Sequence, residues 1–157
     1  MKTKKERIKI LIADDHEIIR NSLKRMLDVI DDFDVVGVCK NGLETYEKAK
    51  ELRPHIVLID AIMPEYNGVE ATKLIKEHND NIKVLMLTTF SDDDLIFHSF
   101  HAGVDGYILK DITADHLIKN IYDCIEGNLI IPSNIAAKLI RKVTSIQLDK
   151  QVFTETE

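Results

Sequence analysis

The sequence predicts one α/β domain of three layers, in which helices cover both faces of a parallel sheet. Two observations carry this prediction. Five short apolar runs alternate along the chain with segments whose apolar residues recur at helical spacing. The runs lack the polar alternation of a half-exposed strand, which is typical of strands buried on both faces. Strands and helices in this alternation form a doubly wound sheet with right-handed crossovers, and 157 residues suffice for one such core.

The first half of the chain contains three strands and two helices. The predicted elements are strand 8–13, helix 17–30, strand 35–39, helix 42–52 and strand 56–59. The first helix has its apolar residues at spacings of three and four, namely Ile19, Leu23, Met26, Leu27 and Ile30. Asn41 with Glu44 three positions later is typical of a helix start, and Pro54 separates the second helix from the third strand.

The second half continues the alternation and ends in an additional helix. The Asn67-Gly68 turn precedes a helix at 69–77, and strand 82–88 follows. Further predicted elements are helix 91–102, strand 104–110 and a helix from Thr113 to Gly127 with an inner stripe of Leu117, Ile118, Ile121 and Ile125. Beyond Pro132 the residues Ile135, Leu139, Val143 and Ile146 again have helical spacing. We interpret this last helix as a linker.

Composition excludes several function classes. The 27 acidic residues outnumber the 21 basic ones, and a net charge of -6 argues against direct contact of this piece with a nucleic acid backbone. The longest apolar runs have four residues, so no membrane span or signal peptide is expected, and residues 1–6 should form a solvated tail. Cys39 and Cys124 lie far apart in the sequence and predict reduced core thiols in a cytoplasmic protein.

Polar side chains follow four of the predicted strands, at the point where each strand ends. They are Asp14 and Asp15, Asp60, Thr88 and Lys110. Ligands of doubly wound sheets bind at the carboxyl ends of the strands, so we expect these side chains to share one edge. Clustered carboxylates favour Mg²⁺, which together with a lysine and a hydroxyl would neutralise a phosphoryl group in transfer. Asp60 would then be the nucleophile that forms an aspartyl phosphate.

These residues resemble the receiver domains of bacterial response regulators over about residues 7–127. The motifs that carry the resemblance are Ala13-Asp14-Asp15-His16, Asp60 with Met63-Pro64, Asn67-Gly68, Thr88, and Gly106-Tyr107-Ile108-Leu109-Lys110. The resemblance implies a flavodoxin-like (βα)5 fold with sheet order 2-1-3-4-5. It also implies a signalling switch rather than an enzyme, phosphorylated by a sensor histidine kinase.

The resemblance also implies a role for each residue of the site. Asp60 would accept the phosphoryl group, and Mg²⁺ would be held by Asp15, Asp60 and the backbone carbonyl of Ile62, with Asp14 acting through water. Thr88 and Lys110 would contact the phosphoryl oxygens. Tyr107 would be the aromatic residue that changes position on switching.

One departure from the common receiver pattern indicates a particular subfamily of receivers. Asp111 follows Lys110 where most receivers have proline, and with the Asp-Asp-His start this looks like the NarL/FixJ subfamily. Those proteins form homodimers on phosphorylation and bind DNA through a C-terminal helix-turn-helix domain. We therefore expect a linker helix at 128–152, and residues 153–157 to be the start of a DNA-binding domain that this chain does not contain.

Two other functions are compatible with parts of the pattern. A Mg²⁺-dependent phosphatase of the haloacid dehalogenase type also uses an aspartate at a strand end, but its Asp-x-Asp spacing on the first strand is missing here. A phosphorylation-independent interaction domain could keep the acidic pocket as a relic. His16 is expected to be structural or to contact the metal ligands without binding the metal. A zinc site at His98 and His101 is disfavoured because no acidic or cysteine partner is evident.

Two further hypotheses concern the switch. The positions two residues after Asp60 and Thr88 are Ile62 and Phe90, which cannot hold an attacking water, so loss of the phosphoryl group should be slow. The surface formed by 91–102 and 104–110 should change on phosphorylation and control dimerisation.

Overall fold

The computed structural model describes residues 6–155, and the side chains of residues 6–150. Of the predicted tail 1–6, only Glu6 lies inside this range, and it is exposed. The predicted start of a DNA-binding domain at 153–157 lies outside it, except for the backbone of residues 153–155, which continues the last helix. None of the described helices has the length and apolar character needed to cross a membrane.

Five strands alternate with five helices, and a sixth helix follows. The strands are β1 (Ile8–Ala13), β2 (Phe33–Cys39), β3 (Ile56–Ile59), β4 (Lys83–Thr88) and β5 (Gly106–Leu109). The helices are α1 (Glu17–Asp28), α2 (Gly42–Leu52), α3 (Gly68–His78), α4 (Asp93–Ala102), α5 (Ala114–Ile125) and α6 (Ser133–Glu155). The alternation predicted from the sequence is confirmed, and its boundaries differ by a few residues.

All four strand pairs are parallel, and the strands lie in the order β2-β1-β3-β4-β5. This order is the one that the resemblance implied. Strand β1 lies inside the sheet and pairs with both β2 and β3, so the carboxyl ends of β1 and β3 are neighbours. That neighbourhood places the residues after Ala13 beside those after Ile59.

The core consists of one apolar layer on each face of the sheet. One layer combines Leu11, Val57 and Met86 with residues of α2, α3 and α4, among them Ala49, Ile75 and Ile96. The other combines Ile10, Leu58 and Leu85 with Leu27 of α1 and Ile121 of α5. Successive strand residues enter opposite layers because side chains alternate across a strand. The three-layer architecture is confirmed.

The chain between α5 and α6 is extended, so the linker helix begins at Ser133 and not at residue 128. The amide of Ile130 donates to the carbonyl of Asp105 at 3.0 Å, and its carbonyl accepts from the amide of Tyr107 at 2.9 Å. Through these hydrogen bonds, the segment between α5 and α6 runs along the outer edge of β5. A Cβ at Gly106 would lie 2.6 Å from Cβ of Ile130, so the close approach requires glycine.

Candidate functional site

The side chains predicted for the site come from four strand ends and meet at one edge of the sheet. Asp14 and Asp15 follow β1, Asp60 follows β3, Thr88 ends β4 and Lys110 follows β5. Asp14 and Asp60 are buried, with exposed fractions of 1% and 5%, whereas Asp15 is exposed. Buried carboxylates require compensating partners, and the site supplies them.

Lys110 is the partner of both buried carboxylates. Its Nζ lies 2.5 Å from Oδ2 of Asp14 and 2.7 Å from Oδ2 of Asp60. Burial alone would lower the pKa of Lys110, but the hydrogen bonds and charges of the two aspartates outweigh it, and the pKa of Lys110 is raised. The ammonium group therefore stays charged and holds two carboxylates that would otherwise repel each other.

His16 is part of the acidic cluster. Its backbone amide donates to Oδ1 of Asp14 at 2.9 Å, and its Nδ1 lies 3.2 Å from a carboxylate oxygen of Asp14 and of Asp15. Arg20 of α1 donates to the carbonyl of Asp14 at 2.8 Å. The histidine and the arginine thus orient the aspartate pair. Only the position of His16 next to that pair signalled this role in the sequence.

The donor set at this edge fits a hard divalent cation. The ligand atoms of Asp14, Asp15, His16 and Asp60 all lie within 4.8 Å of one another. Carboxylate oxygens from two adjacent strand ends are the ligands that Mg²⁺ prefers. Within residues 6–150, His98 and His101 belong to no such group of three or more ligands.

The backbone around Asp60 fixes where its carboxylate lies. Its amide donates to the carbonyl of Ala13 at 2.9 Å, which continues the ladder between β3 and β1 past the last strand residue. The amide of Ile62 points to Oδ1 of Asp60 at 3.3 Å. A Cβ at Gly68 would lie 2.2 Å from the carbonyl oxygen of Asp60, so glycine lets the start of α3 pack directly on this turn.

Thr88 and Tyr107 are joined through one residue, Phe90. The amide of Phe90 points to Oγ1 of Thr88 at 3.3 Å, and the hydroxyl of Tyr107 donates to the carbonyl of Phe90 at 2.5 Å. Tyr107 is fully buried, and this burial raises the pKa of its hydroxyl well above the ordinary value. The β4–α4 loop is therefore attached to Thr88 on one side and to β5 on the other.

Ile62 and Phe90 both present apolar side chains to solvent. Each is 49% exposed, although both belong to loops that follow a strand of the site. Neither side chain can hydrogen-bond a water molecule. The slow loss of the phosphoryl group that the sequence analysis inferred from these two positions stays a prediction.

Comparison with known proteins identifies the same family as the motifs. Residues 10–122, well over half of the chain, match the family described as response regulator receiver domain. The chain is 44% identical over 135 residues to the transcriptional regulatory protein LnrK of Bacillus subtilis, covering 86% of this chain and 61% of that protein. It is 35% identical over 150 residues to the response regulator protein VraR of Staphylococcus saprophyticus, covering 96% and 72%.

A solved structure has the same architecture. The two-component response regulator of the LuxR family from Aurantimonas sp. SI85-9A1 superposes with a TM-score of 0.80 at 25% identity, over 88% of this chain and 99% of that one. The matched family model, the sheet order and the acidic pocket all indicate the same family. The chain belongs to the response regulator receiver domain family.

Proposed function

We propose that this chain is the phosphorylation-controlled receiver of a transcription regulator and that Asp60 accepts a phosphoryl group from a sensor histidine kinase. The observation that carries the proposal is the pairing of Lys110 with both Asp14 and Asp60 inside the acidic cluster. At the edge where ligands of such sheets bind, the carboxylate of Asp60 supplies a nucleophile, and the partly buried Lys110 supplies a cation for the phosphoryl group.

The reaction requires only a few groups. A carboxylate oxygen of Asp60 attacks phosphorus, the bond between phosphorus and the kinase histidine breaks, and its electron pair stays on the imidazole nitrogen. Lys110 and the hydroxyl of Thr88 stabilise the charge on the transferring oxygens. Mg²⁺, held by Asp15, Asp60 and the carbonyl of Ile62 with Asp14 acting through water, would supply further neutralisation of that charge.

The wider role rests on the relatives. LnrK is named a transcriptional regulatory protein, and this chain spans 61% of its length. We propose that the phosphorylated receiver forms a homodimer and acts on DNA through a helix-turn-helix domain that follows α6. The net charge of -6 is consistent with DNA contact by that domain and not by the receiver. The free thiols of Cys39 and Cys124 are consistent with a cytoplasmic location.

Intact mass after incubation with acetyl phosphate and Mg²⁺ tests the assignment of Asp60. We expect one adduct of about 80 Da that is lost in Asp60→Ala and when EDTA removes the metal. Asp111→Ala is the matched control, because Asp111 is an exposed aspartate directly after Lys110, and it should keep the adduct.

The same experiment separates the alternative functions. Turnover of p-nitrophenyl phosphate without a stable adduct would support a phosphatase. If neither acetyl phosphate nor phosphoramidate gives an adduct and no phosphatase turnover is seen, the result would support the phosphorylation-independent interaction domain.

A further inference from the structure

The first turn of α2 donates two backbone hydrogen bonds to the loop that follows Asp60. The amides at the start of a helix have no acceptor within the helix itself. The side chain of Asn41 accepts one of them, the amide of Glu44, at 2.8 Å. The two amides before it reach across to the loop, and the bond from Leu43 to the carbonyl of Glu65 is the shorter of the two, at 2.9 Å. The start of α2 is thus satisfied partly by this loop.

The loop and α2 approach each other as closely as their backbones allow. The amide of Gly42 points to the carbonyl of Pro64 at 3.4 Å, and a Cβ at Gly42 would lie only 1.9 Å from the carbonyl oxygen of Tyr66. Glu65 and Tyr66 have φ of 47° and 67°. Residues other than glycine keep this left-handed conformation only where their surroundings hold it. The first turn of α2 contacts both of them and supplies that support.

Ile62 lies within the part of the loop that these contacts hold. On one side of it, the carbonyl of Ala61 accepts the amide of Gly68 at 2.8 Å. On the other side, the loop is held by the buried side chain of Met63 and, two residues further, by the bond from α2 to Glu65. The side chain of Ile62 is 49% exposed and adds little packing of its own. The orientation of its backbone therefore depends on the contacts on either side.

Helix α2 is itself fixed to the strand end that carries the other carboxylates. The amide of Asp14 donates to the carbonyl of Cys39 at 3.0 Å, and Asn41, the N-cap of α2, follows two residues later. The start of α2 thus connects the end of β1 with the loop after β3. Mg²⁺ requires nearly ideal octahedral geometry, so a cation shared by Asp15 and the carbonyl of Ile62 needs these two segments at a fixed spacing.

We propose that the backbone amide of Leu43 is a positioning group for the metal site, an inference that rests on the proposed function. It holds the loop after Asp60 in the conformation that presents the carbonyl of Ile62 beside the acidic cluster. Without this hydrogen bond the left-handed residues relax, and the site binds Mg²⁺ less tightly although every carboxylate is still present. Leu43 is not itself a ligand, and its effect is on position alone.

The pair Leu43→Pro and Leu43→Ala tests this role. Both variants lose the leucine side chain, but only proline removes the amide donor. Proline is tolerated in the first turn of a helix, and Gly42 before it has no Cβ to clash with the ring. In Mg²⁺ titrations followed by NMR of amides 60–68, without any phosphoryl donor, we expect the dissociation constant of Leu43→Pro to be about fivefold that of Leu43→Ala. This factor is the effect of losing one hydrogen bond.

Two further measurements separate positioning from general loss of stability. Without Mg²⁺, amides 62–66 should exchange with solvent about fivefold faster in Leu43→Pro than in Leu43→Ala, while the amides of α5 should not differ. With acetyl phosphate, the Mg²⁺ concentration for half-maximal adduct formation should rise by the same factor, and the rate at saturating Mg²⁺ should be unchanged. A merely structural role would reduce the amount of folded protein and leave the half-saturating Mg²⁺ concentration as it is.

Gly42→Ala tests the same contact from the other side and decides the question if Leu43→Pro does not fold. Its Cβ would push the carbonyl of Tyr66 away, so it should also weaken Mg²⁺ binding, whereas Gly37→Ala should not. Equal dissociation constants within either pair of folded variants would overturn the positioning role and leave the proposed function intact. A native chain that binds neither Mg²⁺ nor beryllofluoride, the phosphoryl mimic, would overturn the proposed function, and the positioning role with it.

Discussion

Phe90 has three separate roles at one position. Its amide points to Thr88, its carbonyl accepts from Tyr107, and its side chain is half exposed on the loop after β4. The backbone of this residue therefore connects two strands, while its side chain is available for substitution. A change of side chain should affect the chemistry of the pocket and leave the connection in place.

Replacement of Phe90 or Ile62 by asparagine should shorten the lifetime of the aspartyl phosphate. An amide can orient a water molecule toward phosphorus, which neither apolar side chain can do, and we expect decay about tenfold faster. The measurement is the loss of the adduct mass with time after acetyl phosphate is removed. Leu129→Asn is the control, because Leu129 is also exposed, at 59%, but lies near the amino end of β5, at the opposite edge of the sheet. A native lifetime of seconds would contradict the prediction.

Cys39 and Cys124 should be unreactive in the native protein. Burial raises the pKa of each thiol to about 11, so about one thiol in a thousand is ionised at pH 8. A disulfide reagent such as DTNB should modify neither thiol in the folded chain at pH 8 and both in urea. Rapid modification without urea would contradict the buried placement of both thiols.

The same two thiols predict how stability depends on pH. Their folded pKa lies above the value of about 8.5 for an unfolded cysteine, so the folded state binds more protons at alkaline pH. Their contribution to the free energy of unfolding is fully present below pH 8.5 and is lost as the pH rises toward 11. Urea denaturation at pH 8 and pH 10 should show this decline, and Cys124→Ala should reduce it.

At the scale of elements, the connection between β3 and α3 positions Asp60, the proposed nucleophile. Asn67 and Glu70 form a capping box, with the amide of Glu70 donating to Asn67 at 2.9 Å. Just before it, Glu65 and Tyr66 have φ of 47° and 67°, a left-handed conformation that is costly for residues other than glycine. The amide of Leu43 donates to the carbonyl of Glu65 at 2.9 Å, so α2 supports this strained loop.

Gly68→Ala should damage both stability and phosphorylation. The added Cβ would lie 2.2 Å from the carbonyl of Asp60, and backbone atoms on both sides must shift, which we expect to cost about 3 kcal/mol. Because Asp60 itself must move, the rate of adduct formation should fall more than the loss of folded protein explains. Urea denaturation and the rate of mass increase measure the two effects.

Gly37→Ala is the matched control for Gly68→Ala. Its Cβ would meet side-chain atoms and no backbone, namely the ends of Leu11 and Leu52 at 3.1 and 3.2 Å and Cδ of Lys48 at 3.9 Å. We expect a smaller cost of about 1 kcal/mol and an unchanged rate of adduct formation per folded molecule. Equal effects of the two substitutions would contradict the role assigned to Gly68.

At the scale of the whole molecule, the helices differ in how much of their surface is free to contact a partner. The α4 surface is partly covered by α6, whereas α1 presents exposed apolar side chains such as Ile18, which is 81% exposed. Dimerisation through α4 would require α6 to move, but dimerisation through α1 and α5 would not. The surface that a homodimer would use therefore depends on whether α6 stays in contact with α4.

Beryllofluoride with Mg²⁺ should increase self-association of this chain in analytical ultracentrifugation. His98→Asp, on the exposed side of α4, should suppress the association if the surface of 91–102 and 104–110 controls it, and Ile18→Asp should not. The reverse result would assign the dimer to α1 and α5. Equal sedimentation with and without the mimic would contradict phosphorylation-dependent dimerisation altogether.

The amino-acid sequence by itself determined the five strands, the helices between them and the residues of the acidic pocket. Apolar runs and helical spacing are local properties, and the carboxyl ends of parallel strands must share an edge. Asp14, Asp60, Thr88 and Lys110 could therefore be placed together before any contact was known. The strand order was implied by the resemblance to receiver domains, and the structure confirms it.

Only the tertiary structure decided how these residues are connected. The double pairing of Lys110, the place of His16 in the cluster and the bond from Tyr107 to Phe90 depend on distances between strands that local patterns do not encode. The linker expected at 128–152 is not helical from its start, because the hydrogen bonds of Ile130 to the edge of β5 join residues far apart in the chain. The helix itself begins at Ser133, where the helical spacing beyond Pro132 indicated it. The docking of α6 on α4 depends on the same kind of long-range contact, between residues 47 or 48 positions apart.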